Sequence, residues 1–123
     1  MTQRRRLLLV EDEPDTRAAM FHVFTQAGYS VLTADDGQQA LDLLMLGVRP
    51  RLMIVDLLLP NVSGTEFLRY IQNEPDLRTI PRIVVTSLRP NEVKVIADRI
   101  FQKPADLDDV LAEVQRLAPV GTF

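Results

Sequence analysis

Apolar residues fall in two textures along this chain, and the switching between them is its clearest signal. Leu7-Leu8-Leu9-Val10, Leu52-Met53-Ile54-Val55 and Ile83-Val84-Val85 are unbroken apolar runs. Runs this short, without a polar residue at every second position, predict strands buried on both faces, as in the middle of a parallel sheet. Elsewhere the spacing is helical: Met20, Val23, Phe24 and Ala27; Ala40, Leu41, Leu44, Met45 and Val48; Phe67, Leu68 and Ile71. Leu107, Val110, Leu111, Val114 and Leu117 form the cleanest stripe, with Asp106 placed to cap it.

Breakers divide these segments. Pro14 suits a first helical position and Gly28 a stop. Tyr29 to Ala34 predicts a short second strand, Asp36-Gly37 a turn, and Pro60 to Gly64 a loop. The third helix ends before Pro75. Asn91 to Asp98 predicts a short, poorly defined helical segment, and Ile100-Phe101 a brief fifth strand closed by Lys103-Pro104. Strand and helix thus alternate five times with short connections, which predicts an α/β fold: a parallel sheet with helices on both faces.

Composition adds bounds. The 123 residues suit a single domain, 1–123, with a core of about 5–118. There is no cysteine, so no disulfide framework or thiolate metal site. No apolar run approaches the length of a membrane span, and a cytoplasmic protein without membrane insertion is expected. The net charge of -3 disfavours direct nucleic-acid binding. Arg4, Arg5 and Arg6 read as a solvated lead-in, His22 as a structural residue, and Asp108, Asp109 and Glu113 as a solvated helix face. The glycine-rich phosphate loops of nucleotide folds are absent from the sequence.

The candidate chemistry lies at strand ends. The first run ends in Glu11-Asp12, the third strand in Asp56, the fourth in Thr86-Ser87 and the fifth in Lys103. In a parallel sheet these carboxyl ends share one edge, where ligands of open α/β sheets bind. Three clustered carboxylates repel one another unless a cation intervenes. An oxygen-only donor set suits Mg2+, with Mn2+ as a substitute. A carboxylate, a divalent cation, a hydroxyl and a lysine are the parts that phosphoryl transfer to an aspartate needs.

The chain resembles the receiver domain of bacterial two-component response regulators over nearly its whole length. The resemblance rests on Glu11-Asp12, Asp56-x-x-x-Pro60-x-x-x-Gly64, Thr86-Ser87 and Lys103-Pro104, with Ala34-Asp35-Asp36-Gly37-x-x-Ala40-Leu41 as a further match. It implies a flavodoxin-like, doubly wound, five-stranded sheet of order 2-1-3-4-5. It implies that Asp56 accepts a phosphoryl group from a phosphohistidine on a histidine kinase or histidine phosphotransfer protein. Glu11, Asp12, Asp56 and the Leu58 backbone carbonyl would hold Mg2+, and Thr86, Ser87 and Lys103 would contact the phosphoryl group or switch with it. The Lys103-Pro104 bond is expected to be cis, and Gly64 to let the loop after Asp56 turn into the third helix.

Two departures stand out. The stretch from Ser87 to Lys103 is short, so the fourth helix is expected to be short or irregular. Three residues before the lysine the family carries Tyr or Phe; here Ile100 stands there, followed by Phe101, so the switch is absent or rerouted through Phe101. The reading is a phosphorylation switch or phosphorelay carrier, not a turnover enzyme. The 123 residues leave no room for an output domain, so it is expected to act through an unidentified downstream protein, unless the chain is a fragment of a longer regulator, and as a monomer or weak homodimer. A phosphorylation-independent interaction module is the first alternative. An aspartate-nucleophile phosphohydrolase would carry a second aspartate two residues after the nucleophile, where Leu58 stands. A flavin or nucleotide carrier is weaker still, for want of a phosphate loop.

Overall fold

A computed structural model describes residues 5–121. The element order is β1 (Arg6–Val10), α1 (Pro14–Gln26), β2 (Ser30–Ala34), α2 (Gly37–Met45), β3 (Leu52–Val55), α3 (Gly64–Gln72), β4 (Arg82–Thr86), β5 (Arg99–Gln102) and α4 (Leu107–Leu117). The strands form one parallel sheet of order β2-β1-β3-β4-β5. This is the architecture expected from the alternation of textures and from the resemblance.

The unbroken apolar runs behave as strands buried on both sides. Leu8, Val10, Met53, Val55 and Val84 pack with Ala40, Leu44, Phe67, Leu68 and Ile71 of α2 and α3. The alternate residues Leu7, Leu9, Leu52, Ile54, Ile83 and Val85 pack with Met20, Phe24, Val110 and Val114 of α1 and α4. Two apolar layers therefore clamp the sheet, as the period-two alternation of strand side chains requires. The central strands are almost inaccessible to water, which makes them a rigid base for residues at their ends.

Local chemistry sets the helix starts. Glu13 caps α1: its side chain accepts from the Thr16 N–H, and Pro14 follows at the first position. Ser63 and Glu66 form a reciprocal capping box on α3. Asp106 caps α4, as its position predicted. Asp36-Gly37 is not a separate turn. Asp36 caps α2 by accepting from the Gln39 N–H at 2.8 Å, and Gly37 is already helical.

Further expectations are corrected. Residues 91–98 do not form a helix. A single 3-10 turn at Pro90–Glu92 is followed by chain in which Val93, Val95 and Ala97 are half-buried while Lys94, Ile96 and Asp98 are exposed. Val93, Val95 and Ala97 pack on the α2/α3 face, so a non-helical segment bent at Val95 covers the core where a short or irregular fourth helix was expected. Half-buried and exposed residues alternate along it. Glu113 is not on a solvated face: it is buried and paired with Arg116 and, at 3.5 Å, with Arg99. Met45, placed on the apolar stripe of α2, is exposed. Arg6 begins β1 half-buried and is no solvated lead-in, whereas Arg4 lies outside the described residues. Among the described residues no helix is long and apolar enough to cross a membrane.

Candidate functional site

Each principal site residue sits one position beyond a strand and is fixed by one further ladder hydrogen bond. The Glu11 N–H donates to the Ala34 carbonyl at 3.1 Å, the Asp56 N–H to the Val10 carbonyl at 3.0 Å, and the Lys103 N–H to the Thr86 carbonyl at 2.8 Å. β1 and β3 are neighbours at the point where the strand order reverses. Their carboxyl ends open the crevice in which such sheets bind ligands.

Lys103 connects the acids. Its Nζ donates to Glu11 Oε1 at 2.9 Å and to Asp56 Oδ2 at 2.8 Å. Both carboxylates are buried, Glu11 at 1% and Asp56 at 6% exposure, so one ammonium compensates two charges withdrawn from water. Burial pushes the Glu11 carboxyl up, and the neighbouring charge of Asp56 adds to this against the Lys103 bond. Burial by itself pulls the Lys103 ammonium down, but its bonds to Asp56 and Glu11 and their charges together hold it above its ordinary value. The other Asp56 oxygen, Oδ1, accepts from the Leu58 N–H at 3.1 Å.

Glu11, Asp12 and Asp56 each offer a carboxylate oxygen, and these lie within 4.8 Å of one another. Asp12 is the exposed member of the three. The donor set is all oxygen, which fits a hard divalent cation better than a soft one. Thr86 is fully buried, and its hydroxyl oxygen accepts from the Leu88 N–H at 3.2 Å. Its neighbour Ser87 is exposed. The Lys103–Pro104 peptide bond is cis. An open groove of about 550 Å³, lined by Thr16, Met20, Val85, Lys103, Pro104 and Leu107, runs along one side of the lysine.

Gly64 and Gly37 seat the loop that follows Asp56. A Cβ on Gly64 would lie 2.0 Å from the Asp56 carbonyl oxygen, an impossible contact. The Gly64 N–H donates to the Leu57 carbonyl at 3.0 Å, so the loop folds back onto the residue after Asp56. A Cβ on Gly37 would meet the Val62 carbonyl oxygen at 2.1 Å, and the Gly37 N–H donates to that oxygen at 3.0 Å.

Sequence reasoning did not foresee several supporting residues. Arg17 Nη1 donates to the Glu11 carbonyl at 2.9 Å and the Asp12 carbonyl at 3.3 Å, and lies 3.5 Å from Asp35. It fastens the acidic turn to α1. Asn61, in the left-handed region at φ 64, donates to Asp36 Oδ2 at 2.6 Å and ties the loop after β3 to the start of α2. The signal for Arg17 was its place one turn into α1 behind the acidic pair. Nothing in the sequence marks Asn61 as a partner of Asp36, since the contact is purely tertiary.

A model of the family described as response regulator receiver domain matches residues 7–115. The chain belongs to this family. Protein Rrf1 of Nitratidesulfovibrio vulgaris is 32% identical over 112 residues, covering 90% of this receiver domain and 80% of the relative. The phosphate regulon transcriptional regulatory protein PhoB of Escherichia coli is 30% identical, covering 95% of this chain and 55% of PhoB. The chain spans 49% of the response regulator MprA of Mycolicibacterium vanbaalenii and 12% of the sensor histidine kinase TmoS of Ectopseudomonas mendocina. Thus several relatives extend well beyond the matched region.

Solved structures agree. The signal receiver domain of a signal transduction histidine kinase from Syntrophus aciditrophicus superposes with a TM-score of 0.86 at 34% identity, covering 92% of this chain and 89% of that one. Response regulator TrrA of Thermotoga maritima, solved in complex with Mg2+-BeF, gives 0.81 at 27% identity and covers 92% and 98%. The receiver domain is thus a module of two-component response regulators, and its relatives include receivers attached to kinases.

Proposed function

We propose that this receiver domain accepts a phosphoryl group on Asp56 from a phosphohistidine donor, in a Mg2+-dependent step, and acts as a phosphorylation switch or relay carrier. The single observation that carries the reading is Lys103 bridging Glu11 and Asp56 at the edge of β1 and β3, beside exposed Asp12. Three converging carboxylates with one ammonium leave an excess of negative charge. That excess is what a divalent cation site requires, and it fits Mg2+. Glu11, Asp12, Asp56 and the Leu58 carbonyl would hold the ion. When bound, it neutralises charge on the equatorial phosphoryl oxygens.

The chain's own residues supply the rest. A carboxylate oxygen of Asp56 attacks phosphorus, the phosphorus–nitrogen bond of the donor breaks, and its electron pair leaves with the imidazole. The Leu58 N–H and the Lys103 ammonium hold the two Asp56 oxygens, so the nucleophile is oriented before the donor arrives. Lys103 then pairs with the incoming anionic oxygens, and Thr86 donates its hydroxyl proton to one of them. The open groove beside Lys103 leaves this side accessible to a macromolecular donor. Water attack on the acyl phosphate would reset the switch.

Transfer from a histidine-phosphorylated donor protein tests the reading. The phosphoryl label should move to this chain with Mg2+ and not with a chelator, and Lys103→Ala should slow the transfer by at least tenfold. Transfer unaffected by chelation would contradict the metal-dependent step. Absence of both transfer and Mg2+ binding would favour the phosphorylation-independent interaction module.

A further inference from the structure

The receiver lacks an aromatic residue at position 100, and the structure shows what occupies the surroundings of Thr86 instead. β4 and β5 run in register, pairing Val84 with Ile100, Val85 with Phe101 and Thr86 with Gln102. Paired residues of adjacent strands point to the same face, and successive residues to opposite faces. Val84 belongs to the α2/α3 layer, and Val85 to the α1/α4 layer with Phe101. Phe101 is thus on the wrong face to follow Thr86, and Arg99 stacks over its ring at 4.6 Å. Ile100 is on the Thr86 face but is 40% exposed and has no hydrogen-bonding group.

Gln102 is the cross-strand neighbour of Thr86, and the two meet at Leu88. The Leu88 N–H donates to Thr86 Oγ1 at 3.2 Å, and the Leu88 carbonyl accepts from Gln102 Nε2. The Leu88 side chain packs against the α2/α3 layer. One residue of the turn after β4 is therefore held by the hydroxyl, by the β5 amide and by the core.

We propose that Gln102 is a positioning residue that links Thr86 to the edge strand β5 through Leu88. The inference rests on the proposed phosphoacceptor role of Asp56. A hydroxyl can accept one hydrogen bond while donating its proton to another group. Thr86 can thus keep the Leu88 N–H while donating to a phosphoryl oxygen, and any movement of its oxygen is passed to Leu88. The Leu88 carbonyl carries that movement to Gln102, so β5 responds to the site without an aromatic switch. The amide of Gln102 performs this by donating a hydrogen bond, not by filling space.

Amide chemical shifts on addition of Mg2+ and beryllofluoride, a phosphoryl mimic, test it in the wild type, Gln102→Met and Gln102→Lys. The Leu58 amide, bonded to Asp56, reports the site itself. In the wild type, Leu58, Leu88, the Gln102 side-chain amide and the backbone amides of 100–102 should all shift. Gln102→Met should keep the Leu58 response and lose the response at 100–102. Gln102→Lys, which restores a donor, should recover it. An unchanged β5 response in Gln102→Met, no recovery in Gln102→Lys, or a silent Gln102 side chain in the wild type would overturn the proposal. A silent Leu58 in the wild type would instead overturn the phosphoacceptor reading, and the inference with it.

Discussion

Lys103 stabilises two buried carboxylates at once, at 2.9 Å from Glu11 and 2.8 Å from Asp56. Removing it leaves both acids without their countercharge. Lys103→Ala should destabilise the fold by about 1–3 kcal/mol in denaturant titration, less than for a fully buried pair because the lysine keeps some contact with water. Added Mg2+ should recover part of the loss. Gly64 is a different kind of requirement, since its missing side chain leaves room for the Asp56 carbonyl. Gly64→Ala must displace that backbone, at roughly 1–3 kcal/mol of stability, and should lower the melting temperature and slow phosphorylation together. Asp56 and Glu11 were legible because unbroken apolar runs deliver them to one sheet edge, and Lys103 because it follows the brief Ile100-Phe101 strand and precedes Pro104. Arg17 carried only its place one turn behind the acidic pair, and Asn61 was not legible at all, because its value lies in the distant Asp36 carboxylate that it reaches.

At the scale of elements, capping and periodicity decide the outcome. The Asp36 carboxyl lies below the ordinary carboxylate range because the Gln39 N–H, and then the Asn61 amide, bond its ionised form. A depressed folded-state pKa stabilises the fold above the unfolded value of about 4, and the contribution is lost as pH falls through the lowered value. Asp36→Ala should cost about 0.5–2 kcal/mol at neutral pH. Asp36→Asn, which can still cap but does not titrate, should show a shallower loss of stability than the wild type between pH 5 and pH 2 in urea titrations. The segment from Val93 to Ala97 makes an independent prediction. Val95→Ala should destabilise by about 1 kcal/mol, whereas Ile96→Ser should stay within about 0.5 kcal/mol of the wild type. An effect confined to Ile96 would contradict this alternation of half-buried and exposed residues. Val93, Val95 and Ala97 stand at period two in the sequence, whereas the alternation of strands and helices led to the expectation of a short, poorly defined helical segment over Asn91 to Asp98. Packing on α2 and α3 overrode that expectation.

For the whole molecule, the order β2-β1-β3-β4-β5 turns four separate strand ends, those of β1, β3, β4 and β5, into one site. Parallel pairing and helices on both faces were legible in the alternation of apolar textures. The order itself came through the family resemblance, because single-sequence periodicity does not say which strand lies beside which. The acidic pair, the acceptor and the lysine converge as that order requires, while the absent crossover helix leaves β5 and residues 93–97 to form the surface beyond Thr86. The most direct test of the account is the intact mass of the protein after incubation with a small phosphodonor and Mg2+. The account predicts a gain of one phosphoryl group that disappears in Asp56→Asn and on chelation of the metal. No gain in the wild type, or a gain that persists in Asp56→Asn, would contradict it.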